Sequence, residues 1–183
     1  MRNILISFFI LILSVVSGFA QKLNRKIIDT KTQKEILYGK CNVDGLKTGE
    51  FGDFFKMEYN NYITDSSTLA QLKPMMKKVR IHIVMGSWCG DSQQQVPRFI
   101  KLMDMLKYKT RKLDILCIDH FFKAENFEKG NMGIEKVPTF IIYRKNKEIG
   151  RIVESPMNSL EKDLLDILNK PNQPINVSKV ESK

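Results

Sequence analysis

Of the three cysteines in the sequence, Cys41, Cys89 and Cys117, one stands where chemistry is possible. Cys89 lies in Trp88-Cys89-Gly90-Asp91-Ser92, directly after Val79-Arg80-Ile81-His82-Ile83-Val84-Met85-Gly86 and directly before a helical pattern. The preceding run is β-branched and apolar enough to be a largely buried strand. A cysteine at the junction of a strand and a helix sees the unpaired N–H groups and the positive end of the helix dipole. Both favour the thiolate, which is the nucleophile. Asp91 works in the opposite direction, because a second negative charge nearby favours the neutral thiol. The chemistry open to such a residue is attack on a disulfide sulfur.

The other chemistry-bearing residues read differently. Cys117, in Leu116-Cys117-Ile118-Asp119, sits inside an apolar strand and reads first as an inert core residue, with a resolving role as the alternative. Cys41 falls in a glycine-rich region, and a bridge from it to Cys89 requires Cα atoms within about 7 Å. Three is an odd number, so in an oxidising compartment at least one thiol is free or pairs outside the chain. Asp119 and His120 follow the Cys117 strand and are candidate modulators, His120 by tuning or deprotonating Cys89; the competing reading is a loop histidine facing water. His82 alternates within a buried strand and reads as a hydrogen-bonded core residue. The Cys and His spacings give no metal site, and nothing in the sequence calls for a cofactor.

These residues need a scaffold. Phe51, Phe54, Phe55, Tyr59 and Tyr62 recur at spacings of three and four, which predicts an amphipathic helix. Asp65-Ser66-Ser67 offers a cap for a second helix bearing Leu69, Leu72 and Met76, with Pro74 interrupting it. After the motif, Val96, Phe99, Ile100, Leu102, Met103 and Leu106 form the apolar side of a longer helix that contains Pro97. Leu113 to Ile118 reads as a second buried strand, and Phe140–Tyr143 with Ile149–Val153 as a hairpin around Lys145-Asn146-Lys147. Ser159 caps a closing helix of Leu160, Leu164, Leu165 and Leu168, which Pro171 stops. Glu35 to Gly52 shows no convincing period. Strand, helix, strand, short helix, hairpin, helix predicts an α/β fold with a central mixed sheet flanked by helices on both faces.

The motif Trp88-Cys89-Gly90-Asp91-Ser92 resembles the active-site segment of the thioredoxin family, where Trp-Cys-Gly-x-Cys joins a central strand to a helix. In that family a proline follows the first cysteine by eight residues, as Pro97 follows Cys89. Val137-Pro138-Thr139-Phe140 resembles the family's cis-proline segment, and Gly150 fits the following hairpin strand. Together these marks span residues 79 to 169, and residues 36 to 78 resemble, through weaker motifs, the N-terminal extension of exported bacterial relatives. The resemblance implies a thioredoxin-like fold with an N-terminal helical extension, catalysis by Cys89, and substrate binding by Trp88, Gly90, Val137 and Pro138. It also exposes departures. Ser92 stands where the family has its resolving cysteine, Ile83 where it has a buried acid, and Met85 where it has a tryptophan. The Ser92 hydroxyl can donate a hydrogen bond to a Cys89 thiolate, yet it cannot close an internal disulfide, so mixed disulfides should persist.

The chain divides into a signal peptide at 1–20, an N-terminal extension at 21–65, a thioredoxin-like domain at 66–170 and a polar disordered tail at 171–183. Arg2, the apolar run Ile4 to Val16 and the small residues near Ala20 are the parts of a cleaved secretory signal, which places the mature protein in the periplasm. The net charge of +10 is spread along the chain without interleaved aromatics, which argues against nucleic acid as a partner. Contact with a membrane surface rests on that charge alone. Two functions compete. One is monothiol exchange with protein thiols or disulfides, released by an external thiol reductant; the other is a redox-inactive binding or folding-assistance module.

Overall fold

The computed structural model describes residues 22–125, 127 and 132–170; the expected signal peptide and C-terminal tail lie outside them. At the centre is strand β3, Val79–Met85, with Val79, Ile81, Ile83 and Met85 buried on one face and Val84 buried on the other. It pairs in parallel with β4, Leu113–Cys117, and antiparallel with β5, Thr139–Arg144, which turns back into β6, Lys147–Val153. The hairpin turn holds Lys145 and Asn146 at φ 51° and 61°, the left-handed values that a tight two-residue β-turn requires. Helix α4, Gly90–Met105, connects β3 to β4, and helix α5, Leu160–Asn169, follows β6. A parallel strand–helix–strand unit followed by an antiparallel hairpin and a helix is the thioredoxin-like arrangement that the motifs implied.

The N-terminal segment departs from a purely helical extension. Strands β1, Arg25–Ile28, and β2, Glu35–Cys41, extend the same sheet to the order β1-β2-β4-β3-β5-β6. Strand β2 runs antiparallel to β4 through Gly39↔Cys117 and Cys41↔Ile115. Residues on both sides of position 65 thus contribute to one sheet. No period announced β2 because Ile36 and Leu37 are both buried and Gly39 adopts φ +79°, which together erase the alternation that marks a half-buried strand.

Helices α1, Val43–Leu46, α2, Gly49–Asn61, and α3, Ser66–Met75, lie between β2 and β3. Asn42 and Asp65 cap α1 and α3 by accepting from Gly45 N and Ser67 N. Phe51 and Phe55 of α2 and Leu72 of α3 join Phe99, Met103, Leu164 and Leu168 over one face of the sheet. Across α2 and α4, Arg98 bonds Glu58 at 2.7 Å and Tyr59 donates to Asp104 at 2.8 Å. The opposite face is different. Among the described residues it is covered by Ile118, Ala124, Ile134 and Val137, from the segment between β4 and β5, packed on Val84 and Ile141. The sequence places helices on both faces and a short helix in this segment; the described residues there form turns and one Ala124–Phe127 bridge. The helix-supplied core is thus on one side, and the side that ends at the motif is walled by irregular chain.

Phe99 is fully buried and stacks on Phe140 with ring centroids 4.4 Å apart. Phe99→Ala should therefore lose about 3–5 kcal/mol of stability in urea denaturation, whereas Ile28→Ala, 59% exposed, should stay within about 0.5 kcal/mol.

Candidate functional site

Strand β3 ends at Met85, and the turn that follows is fixed by several hydrogen bonds. Cys89 N donates to Gly86 O at 3.0 Å, Gln93 Nε2 to Ser87 O at 3.0 Å, and Leu37 N to Ser87 Oγ at 2.9 Å. The last of these ties β2 to the motif. Cys89 is then the N-cap of α4, with φ −88° and ψ 127°, and it makes no side-chain cap. Its thiol, partly exposed, donates instead to the Val137 carbonyl at 3.2 Å. Gly90 and Asp91 are exposed beside it, and a Cβ built on Gly90 would meet nothing within 4 Å. The approach to the sulfur over the first turn of α4 is open.

Val137 and Pro138 are buried, and the peptide between them is cis. Their loop is held by Glu154 N donating to Pro138 O at 2.7 Å, Thr139 Oγ1 to Lys136 O at 2.7 Å, and a Lys136–Glu154 ion pair at 2.7 Å. The structure brings Cys89, Gly90, Val137 and Pro138 together. Ser92 has another partner: its fully buried hydroxyl accepts from Gly86 N at 3.3 Å, and no bond to Cys89 is present among the described residues. The serine helps close the strand-to-helix turn, and its O–H remains available as a donor.

His120 does not face water, its side chain being 11% exposed. Its ring stacks on Trp88 with centroids 3.9 Å apart and planes inclined by 21°, while Trp88 Nε1 donates to Ile118 O at 2.9 Å. Behind His120, Nδ1 lies 3.0 Å from Oδ2 of Asp29, a carboxylate 1% exposed. That same oxygen accepts from Thr32 N at 2.8 Å and Thr32 Oγ1 at 2.7 Å. Burial opposes ionisation of Asp29, but the Thr32 hydroxyl and N–H, together with His120, outweigh it and hold its carboxyl below the usual carboxylate range. Asp119 organises its own loop, accepting from Phe121 N at 2.9 Å and Lys123 N at 2.8 Å. His82 lies 3.1 Å from Asp114 on the sheet.

The other two thiols do not approach Cys89. Cys41 and Cys117 lie in the core on the helix-covered face, whereas Cys89 packs with Trp88 against the opposite cluster. A cavity opens next to the motif, lined by Lys26, Glu35, Leu37, Phe51, Trp88 and His120 among others, and Cys89 is not part of its wall. Sequence reasoning missed Asp29, Leu37, Ser87 and Gln93. For Asp29 a signal existed in Asp29-Thr30-Lys31-Thr32, an acid followed three residues later by a threonine at turn spacing.

The fold and the placement of Cys89 define a thioredoxin-fold protein. Among solved structures the chain is similar to a protein of unknown function from Pseudomonas aeruginosa, 17% identical, with 64% of this chain and 78% of that one covered and a TM-score of 0.45. It is also similar to a thioredoxin pre-protein of Schistosoma mansoni, 20% identical over 57% of this chain and 89% of that one, TM-score 0.35. A thioredoxin from Aeropyrum pernix is 16% identical over 52% and 76%, TM-score 0.33. No protein-family model and no curated protein matches the chain.

Because the folded-state pKa of Asp29 lies below its ordinary value of 3.8, its contribution to stability is complete above that pH and disappears as pH falls through the depressed value. Asp29→Asn should lose about 1–3 kcal/mol at neutral pH and show a shallower acid limb than the unaltered protein when urea midpoints are followed toward about pH 3.

Proposed function

We propose that the protein performs thiol–disulfide exchange through Cys89 alone. The observation that carries this reading is a partly exposed thiol at the N-cap of a sixteen-residue helix, with open space over Gly90 and the Val137–Pro138 segment alongside. Loss of the thiol proton breaks the bond to the Val137 carbonyl and frees the sulfur to turn outward. The Cys89 thiolate attacks one sulfur of a substrate disulfide, forming a mixed disulfide, and the other substrate sulfur leaves as a thiolate that takes up a proton. An external thiol then attacks the substrate sulfur of the mixed disulfide, forming a substrate–reductant disulfide and returning Cys89 as a thiolate, and a second external thiol displaces the substrate thiolate, so that two external thiols end as one disulfide. Neighbouring backbone groups of Pro138, which itself lacks an N–H, are suited to pairing with an extended substrate segment. The substrates are protein disulfides or thiols, and export through residues 1–20 is part of the reading, with a mature chain beginning at Gln21.

Trp88 acts here as a fixed wall. Its indole is clamped between the Ile118 carbonyl and the His120–Asp29 pair, which keeps the approach to the sulfur on the Gly90 side. A second reading, a binding module without turnover, is favoured by Ser92, which stands where a second cysteine would be needed to release a mixed disulfide from within the chain.

Three measurements separate the readings. With a scrambled-disulfide substrate and a small thiol, Cys89→Ala should abolish turnover; turnover unchanged by that substitution removes the exchange reading. Ser92→Cys should shorten the lifetime of the mixed disulfide and raise reductive turnover on the order of tenfold, because release becomes intramolecular. Alkylation of Cys89 at neutral pH no faster than that of a free cysteine peptide would favour the binding module.

A further inference from the structure

Cys41 and Cys117 sit on adjacent antiparallel strands, β2 and β4, with Gly39 opposite Cys117 and Ile115 opposite Cys41. Residues two apart on a strand share a face, so Cys41 and Cys117 are diagonal neighbours on the same side of the sheet. Both are buried there, 2% and 0% exposed, in one core cluster. The position directly across from Cys117 carries no side chain, and a Cβ built on Gly39 would meet nothing within 4 Å. No side chain of residue 39 therefore stands between the two sulfurs. Their side chains already interact: the Cys41 sulfur, followed by burial, holds the Cys117 thiol well above its ordinary pKa.

We infer that Cys41 and Cys117 are a disulfide site, the two sulfurs joining across β2 and β4 to tie the N-terminal strands to the central sheet. This goes beyond the exchange reaction at Cys89 and does not depend on it. It also resolves the odd cysteine count, since closing this pair leaves a single free thiol on the open side of the molecule.

The oxidant is a small disulfide of the glutathione class. The thiolate of one cysteine attacks it, giving a mixed disulfide and one released thiol. The second cysteine, as thiolate, displaces the remaining small thiol and closes the bond. Two protein thiols are oxidised, one external disulfide is reduced to two thiols, and the two protons pass to the departing thiolates. In the folded state both sulfurs are shielded and thiolate formation at Cys117 is disfavoured, so the bond forms before β2 docks on β4, while the chain is still folding.

The test is to refold the reduced, denatured chain in a mixture of oxidised and reduced glutathione, remove small thiols, and alkylate under denaturing conditions without reduction. The expected product carries one alkyl group, on Cys89, and its peptide map contains Cys41 and Cys117 peptides joined, lighter by two hydrogens than the separate pair. The same linked peptide should appear in Cys89→Ser, where exchange chemistry at the motif has been removed, and reducing that variant should lower its urea midpoint. Three alkylated thiols after refolding, or a linked peptide joining Cys89 to either partner, would overturn the inference while leaving the role of Cys89 to its own assay. Folded, fully reduced protein exposed to the same glutathione mixture should close the bond far more slowly than the refolding chain.

Discussion

Strand β3 is held from every direction: β4 on one edge, β5 on the other, helix side chains against Ile81, Ile83 and Met85, and the chain between β4 and β5 against Val84. The buried set Val79, Ile81, Ile83 and Met85 pins the register, because a slip of one residue would put Arg80 and His82 in their place against the helices. The end of β3 is consequently a fixed point, and all the atoms near Cys89 are measured from it. Gly86 donates to Ser92 and accepts from Cys89, Ser87 accepts from Leu37 and Gln93, and α4 starts in one direction only. The Cys89 sulfur is placed by strand pairing several residues away from it.

A second layer of support comes from outside the central sheet unit. Asp29 belongs to the connection between β1 and β2, and through His120 it backs the indole that walls the sulfur. A buried carboxylate is costly unless several donors surround it. Thr32 supplies two of them from within the same turn, and His120 lies on the third side. The strands at the N-terminus therefore complete the wall of the site, which is a stronger role than an appended segment would have. The cavity beside Trp88 and His120 follows from the same junction, where β2, the start of α2 and the motif meet.

The sheet also separates the cysteines by environment. On the helix-covered face two thiols share a dry core, where the Cys41 side chain and burial oppose ionisation of Cys117. On the other face Cys89 meets the surface beside exposed Gly90 and Asp91. The same residue type is thus held in two environments, one buried and one at the surface, and the two roles argued for these cysteines, cross-linking and exchange, need no difference in residue type.

Local pattern in the sequence was enough to reveal β3, α4, β4, the hairpin and α5, because each carries a period or a cap that a few adjacent residues determine, as Ser159 does by accepting from Lys162 N. It was also enough to single out Cys89 and the Val137–Pro138 segment, whose types and spacing are informative without coordinates. Strand β2 stayed hidden, because burial on both faces and the positive φ of Gly39 leave no alternation to read. The partners of Ser92 and His120 were hidden for another reason: a hydroxyl three residues after a thiol has several directions available, and an imidazole near a motif can face water or protein. Those directions are decided by what packs behind them, Gly86 for the serine and Asp29 for the histidine, the latter 91 residues distant in the chain. Contacts between residues so far apart exist only once the sheet has closed, so the sequence alone determined the elements and the candidate nucleophile, and tertiary structure decided which side chains face it.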